Sequence, residues 1–363
     1  MQITSAETVQ LKIPFYDPGT GGGLFPGSWT ALDFVLLRLE TETGLTAWGE
    51  GFSYFCAASV KAMLDHAILP NLIGRDGSDI AGTLASLSHQ CHIIGRYGVT
   101  MFALSAVDIA LHDLNAKAAG VSLAEYLGGA KRTDLPAYAS LIRYGDSAMA
   151  AKVASDAAAE GFGMIKLHEI DLDHVAAVRG VIGDLPLTDD INCNWTAQQT
   201  RDWAGRMRDI DLLWLEEPTF PPEDYTQMAT LRRDTGIPIA AGENLCTRYQ
   251  FAEIIQAGGA DYVQPSLTKI GGVAETMATH ALAREAGIKV AHHAPYFGPG
   301  LMATMQVLAA VEEEGWLEWL YVQRDADLFA DMPLPRNGRI AIPDGPGLGA
   351  DPDPGVIAKY RVA

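Results

Sequence analysis

A lysine and a histidine two positions apart, Lys166 and His168, close the apolar run GMIKLH. Asn192 and Asn194 end LTDDINCN, Glu216 and Glu217 end LLWLEE, and Glu243 ends IPIAAGE. Ser266 follows DYVQP, His292 and His293 end IKVAHH, and Glu318 lies inside WLEWLYV. Alternate side chains of a strand share a face, so Lys166 goes with His168 and Asn192 with Asn194. Oxygen ligands on three successive segments suit a hard cation such as Mg²⁺, which takes carboxylates and keeps several waters. A lysine beside that cation can grip the two oxygens of a substrate carboxylate. Loss of the α-proton then builds an enediolate, whose charge the metal and lysine are placed to stabilise. A side chain on each flank of that carbon serves as base or acid, the positions expected for His168 and His293.

Each of these residues alone has a plainer explanation. A Glu-Glu-Pro turn is usually solvated, and a histidine at a strand end is commonly hydrogen-bonded scaffolding, which fits His292. Lys166 alone would pass for a surface lysine and Asn192 for a turn former. Glu318 is harder to dismiss, because a carboxylate between Leu317 and Trp319 is costly unless paired or protonated. The plain readings also leave unexplained why polar groups recur at one level in six consecutive strands.

The elements that would position them follow from periodicity. From about residue 135, short apolar segments alternate with amphipathic helical stretches. Strands are expected at 135–140, 163–168, 187–194, 212–217, 237–243, 261–265, 288–293 and 316–322. Eight strands with helical crossovers read as a closed parallel barrel, where chemistry belongs at the C-terminal ends of the strands. The first third differs. Strands are expected over 1–13 and 32–40 with a third in LTAWGEG, followed by helices near 57–73, 78–94 and 99–119. The Gly- and Pro-rich stretch 14–29 reads as a loop. The fold class is therefore α/β, with an α+β capping domain over 1–125, a barrel over 126–330 and a tail over 331–363 returning to the cap.

Composition excludes other classes. The 363 residues are 48% hydrophobic and 20% charged, the balance of a folded core. A formal charge of −19 repels nucleic acid and anionic lipid, so neither is an expected partner. The N-terminus lacks the pattern of a secretory signal, and no apolar run is long enough to span a membrane. Cys56, Cys91, Cys193 and Cys246 are far apart, which fits reduced thiols in a cytoplasmic protein. GTGGG at 19–23 lies in a loop rather than between a strand and a helix, so a nucleotide-binding reading is poor.

The segments GFGMIKLH, LLWLEEPT, IPIAAGENL, DYVQPSLTKIGGV, GIKVAHHAP and WLE, in this order and spacing, resemble the enolase superfamily. They are most similar to its mandelate racemase and muconate-lactonizing enzyme group, on the acid-sugar dehydratase side. The resemblance implies a modified TIM barrel, (β/α)7β, one Mg²⁺ per subunit (or Mn²⁺), and proton abstraction next to a carboxylate. It implies that Lys166 contacts the substrate carboxylate, that His168 is a base, and that Glu216 and Glu243 are the second and third metal ligands. His293 then matches the opposite-face acid/base and Glu318 the acid that helps hold the enediolate.

Two departures from the group's pattern are expected to matter. The first metal ligand, usually Asp in Asp-x-Asn, is matched to Asn192 of Asn192-Cys193-Asn194, at the loss of one negative charge. Ser266 stands where many relatives have an aspartate that pairs with the seventh-strand histidine, which leaves His293 partnerless and of lower pKa. That asymmetry points to dehydration, with His168 removing the α-proton and His293 protonating the leaving hydroxyl, or the reverse for the other stereochemistry. Racemisation, epimerisation and cycloisomerisation share the same intermediate. A barrel that has lost its metal and only binds a ligand is the reading from another class. The resemblance places specificity in the cap, where Tyr16, Phe25, Trp29 and Tyr54, with Phe15, Phe52 and Phe55, suggest a compact substrate with one carboxylate. Asn194, Ser266 and Tyr296 complete the expected substrate-facing set. Association into a homo-oligomer is also implied.

Overall fold

The computed structural model describes residues 1–17 and 29–362. Phe25 lies outside the described residues. Three antiparallel strands open the chain: β1 (Ile3–Tyr16), β2 (Ala31–Thr41) and β3 (Thr46–Gly51). Alternating burial along β1 shows why it forms a sheet with one dry face. That face packs on the helix Val99–Ala119, which is buried along most of its length. Close approach requires the absence of a side chain at Gly49, where a Cβ would stand 1.9 Å from the Ala106 carbonyl oxygen.

The barrel consists of eight parallel strands, β4 (Asp134–Ser140), β5 (Ile165–Leu167), β6 (Leu187–Asp190), β7 (Trp214–Glu216), β8 (Ile239–Ala241), β9 (Tyr262–Val263), β10 (Lys289–Val290) and β11 (Leu317–Leu320). Neighbours pair in chain order from β4 to β10, and β11 pairs in parallel with β4, which curls the sheet. All eight expected strands are present, and all but the first are shorter than expected. The third was expected to run to residue 194 and ends at Asp190, before a turn with left-handed backbone at Asn192 (φ 44°) and Cys193 (φ 58°).

After β11, β12 (Gln323–Arg324) pairs antiparallel with the end of β1. The tail then adds β13 (Arg339–Ala341) antiparallel to the start of β4, a pairing its Pro- and Gly-rich sequence did not announce. Bridges Leu11–Arg361 and Ser122–Gly347 tie the last residues to the N-terminal third. Among the described residues no helix is long and apolar enough to cross a membrane.

Two polar contacts fix the N-terminal layer over the barrel mouth. Asp108, on the helix Val99–Ala119, accepts the N–H groups of Val273 and Ala274 at the start of the helix Val273–Ala286. Gly272 (φ 87°) makes this possible, since a Cβ there would meet the Asp108 carboxylate at 2.2 Å. Glu50, on β3, accepts the N–H of Gly300 at 2.8 Å, at the start of the helix Pro299–Ala310. A helix N-terminus favours a carboxylate, but burial prevails and pushes Glu50 from its ordinary 4.5 up to about 8, with the Gly300 N–H opposing.

Between these two values the folded chain keeps a proton that the unfolded chain has released. Stability from this group is therefore present below about pH 4.5 and lost as pH rises through about 8. Thermal unfolding at saturating Mg²⁺ should show a shallower decline from pH 5 to pH 8 in Glu50→Gln than in the wild type. Parallel declines would contradict the assignment.

Candidate active site

At the C-terminal ends of β6, β7 and β8, three carboxylates converge. One oxygen from each of Asp190, Glu216 and Glu243 lies within 4.8 Å of the others, and all three residues are buried. Asp190 and Glu216 are register partners on adjacent strands, so their side chains project side by side. The first corner of this triangle is Asp190 and not Asn192, as the sequence reading had it. Because β6 ends at Asp190, four residues early, Asn192 sits in the turn beyond. Its N–H donates to Asp190 Oδ1 at 2.9 Å, and its own amide oxygen faces the Arg143 guanidinium at 3.5 Å. Asp190-Ile191-Asn192 is itself an Asp-x-Asn pattern, so the signal was present in the sequence two residues upstream. The expected loss of one negative charge does not occur.

Lys166 is fully buried beneath the triad, with Nζ 2.6 Å from Glu216, 3.1 Å from Asp190 and 3.5 Å from Glu318. Burial opposes its charge, but Glu216, Glu318 and Asp190 hold its proton and raise its pKa well above the ordinary lysine value. Burial likewise opposes ionisation of Asp190, and there the Lys166 ammonium and the Asn192 N–H win and keep it ionised. Glu216 goes the other way, raised by burial and by the charge of Asp190. Glu243 is raised by burial, with Lys269 in opposition.

The charges do not balance. Asp190, Glu216, Glu217, Glu243 and Glu318 are buried, and the buried lysines Lys166 and Lys269 answer only part of their charge. Asp190 Oδ2 is also buried without a donor in hydrogen-bonding geometry. Carboxylate oxygens with unmet negative charge fit a hard divalent cation such as Mg²⁺.

The two histidines flank this cluster. His168 Nδ1 lies against the Leu141 carbonyl, which can only accept, so Nδ1 carries the proton and Nε2 is left as an acceptor facing the cavity. Its Nε2 is 3.4 Å from Asp190. His293 Nε2 is 3.2 Å from Glu243, and its Nδ1 is 3.1 Å from the Ser266 hydroxyl. His293 is therefore not partnerless: a neutral hydroxyl replaces the carboxylate. Its pKa lies well below the ordinary value, as expected, because of burial and the charges of Lys269 and Lys166. His292 points away and meets His280, Nε2 to Nε2 at 2.8 Å, as scaffolding would. Glu318 accepts from Ser140 Oγ at 2.8 Å and from the Ala294 N–H at 2.7 Å.

Above the cluster lies a cavity of about 410 Å³. Its wall on the cap side is aromatic: Trp29, Phe52, Tyr54 and Phe55 line it, with Trp29 and Tyr54 ring centroids 5.1 Å apart. Four expected substrate-facing residues do not line it. Tyr16 is 64% exposed at the end of β1, beside Gln323. Asn194 caps its own turn by donating to the carbonyls of Ile191 and Asn192. Ser266 lies behind His293, as does Tyr296, whose hydroxyl donates to the His293 carbonyl at 3.2 Å. The sequence reading missed Lys269 and Asn244, which do line the cavity. Lysine two residues before Gly271-Gly272, just past a barrel strand, was the available signal for the first.

Comparison with known proteins agrees with this geometry. A family model described as the mandelate racemase / muconate lactonizing enzyme N-terminal domain matches residues 26–128, and one described as enolase C-terminal domain-like matches 148–356. The chain belongs to this family. It is 30% identical over 354 residues to D-galactarolactone cycloisomerase of Agrobacterium fabrum, covering 90% of this chain and 91% of that protein. It is 32% identical over 338 residues to L-talarate/galactarate dehydratase of Salmonella typhimurium, covering 88% and 80% respectively. A Streptomyces coelicolor racemase solved with bound magnesium superposes with a TM-score of 0.87 at 28% identity, over 99% of this chain and all of that one.

The raised carboxyls must release protons when a cation binds, so Mg²⁺ affinity should rise as pH rises above the ordinary carboxyl range. Isothermal titration of Asp190→Asn should show affinity at least tenfold weaker, about 1.4 kcal/mol or more. Asn192→Gly, which keeps the left-handed turn, should bind within about threefold of the wild type, or about 0.7 kcal/mol. The opposite ranking would restore Asn192 as the ligand.

Proposed function

We propose that this member of the family is a Mg²⁺-dependent lyase that removes the α-proton of a hydroxy acid or sugar acid and expels a β-hydroxyl. One observation carries the reading: a buried carboxylate triad set between two histidines of unlike environment, beside an aromatic wall. Asp190, Glu216 and Glu243 would hold the cation. When bound, it supplies positive charge that acidifies the C–H bond next to a substrate carboxylate. Lys166 adds a fixed positive charge from below, and Glu318 holds one edge of the developing enediolate. The aromatic wall lowers the polarity on that side of the site, which strengthens these electrostatic contacts.

Elimination needs one proton acceptor and one donor on opposite faces of the substrate. His168 suits the first role, since the Leu141 carbonyl fixes its proton on Nδ1 and frees Nε2. His293 suits the second in its protonated form, with Nε2–H directed toward the Glu243 side and Nδ1–H toward the Ser266 hydroxyl. The relatives include both dehydratases and cycloisomerases, and one proton abstraction next to a carboxylate could lead to either outcome. The four free cysteines fit a cytoplasmic setting for this chemistry.

A screen of hydroxy and sugar acids in deuterated water with Mg²⁺ tests the assignment. His168→Asn should abolish α-proton exchange, by at least about a hundredfold. His293→Asn should retain exchange while product formation falls by a similar factor. Exchange at the normal rate in His168→Asn would refute the base assignment.

A further inference from the structure

Lys269 stands in the cavity wall on the short helix Leu267–Ile270 that follows β9, with its side chain only 5% exposed. Its ammonium lies 4.2 Å above the Phe52 ring and donates one long hydrogen bond, 3.3 Å, to Asn244 Oδ1. Asn244 is itself fixed, since its amide nitrogen donates to Glu217 at 2.8 Å and to Glu243 at 3.2 Å. The nearest carboxylate oxygen, on Glu243, is 3.7 Å away, and Glu243 belongs to the triad. A buried ammonium normally satisfies its donors with close anionic partners. Here an aromatic face and a neutral amide orient it toward the cavity instead.

We propose that Lys269 is a specificity-determining residue that receives an anionic oxygen on the β- or γ-substituent of the substrate. This rests on reading the cavity as the substrate site. The barrel thus supplies a cation that the cap sequence, without Arg or Lys in its aromatic mouth, does not. A substrate held at the triad by its α-carboxylate would present its far end to Lys269, beneath Phe52. A hydroxy acid with a second acidic group matches this arrangement better than one ending in a methyl.

Malate and 2-hydroxybutanoate test this, because they differ by a terminal carboxylate in place of a methyl. Titrated into Mg²⁺-loaded wild type, malate should bind at least tenfold more tightly. Lys269→Met should bring the two ligands within about twofold of each other, and Lys269→Arg should retain most of the preference. Mg²⁺ affinity measured in the same variants should not weaken, which guards against a general collapse of the site. No preference for malate in the wild type, equal weakening of both ligands in Lys269→Met, or an intact preference in that variant would each overturn the proposal. These are equilibrium measurements, so failure of α-proton exchange with either acid would count against the lyase reading alone.

Discussion

Negative charge held out of water governs this structure. Five carboxylates crowd one barrel mouth, and the two lysines among them cannot neutralise all. Isolated charges of this kind would protonate or draw in water, because burial of an ion without a partner costs several kcal/mol. The sequence instead keeps Asp190 ionised through the Lys166 ammonium, 3.1 Å from Oδ2, and the Asn192 N–H on Oδ1. A divalent cation resolves this imbalance. The same charge, once in place, makes a nearby carbon acid removable.

The rest of the fold serves to hold that cluster and close it. Short strands bring one polar side chain each to a common level, while the helices between them are free to vary. The N-terminal layer is locked to the mouth through Asp108 and Glu50, each engaging the start of a barrel helix. Phe52, Tyr54 and Trp29 are carried into position by the end of β3 and the approach to β2.

Much of this was legible in the sequence. The eight barrel strands, the three long helical stretches and the placement of Lys166, His168, Glu216, Glu243, His293 and Glu318 follow from periodicity and from polar residues at strand ends. The error at Asn192 was one of register: LTDDINCN gives no apolar cue for where β6 stops, and two residues of turn shift the ligand from Asn192 to Asp190. Ser266 and Tyr296 were placed at the right level but one layer too far forward, a distinction set by packing behind His293. Lys269 escaped notice because its one local signal, the Gly271-Gly272 pair that follows it, does not show that it is buried. Only the approach of Phe52, more than two hundred residues earlier, buries it.

Crystals grown with Mn²⁺ in place of Mg²⁺ offer the most direct test, since anomalous scattering locates the ion without reference to any assigned ligand. One peak is expected at the barrel mouth, at about 2.1–2.2 Å from carboxylate oxygens of Asp190, Glu216 and Glu243. A peak bound through Asn192 in place of Asp190, or none at the mouth at saturating Mn²⁺, would contradict the account.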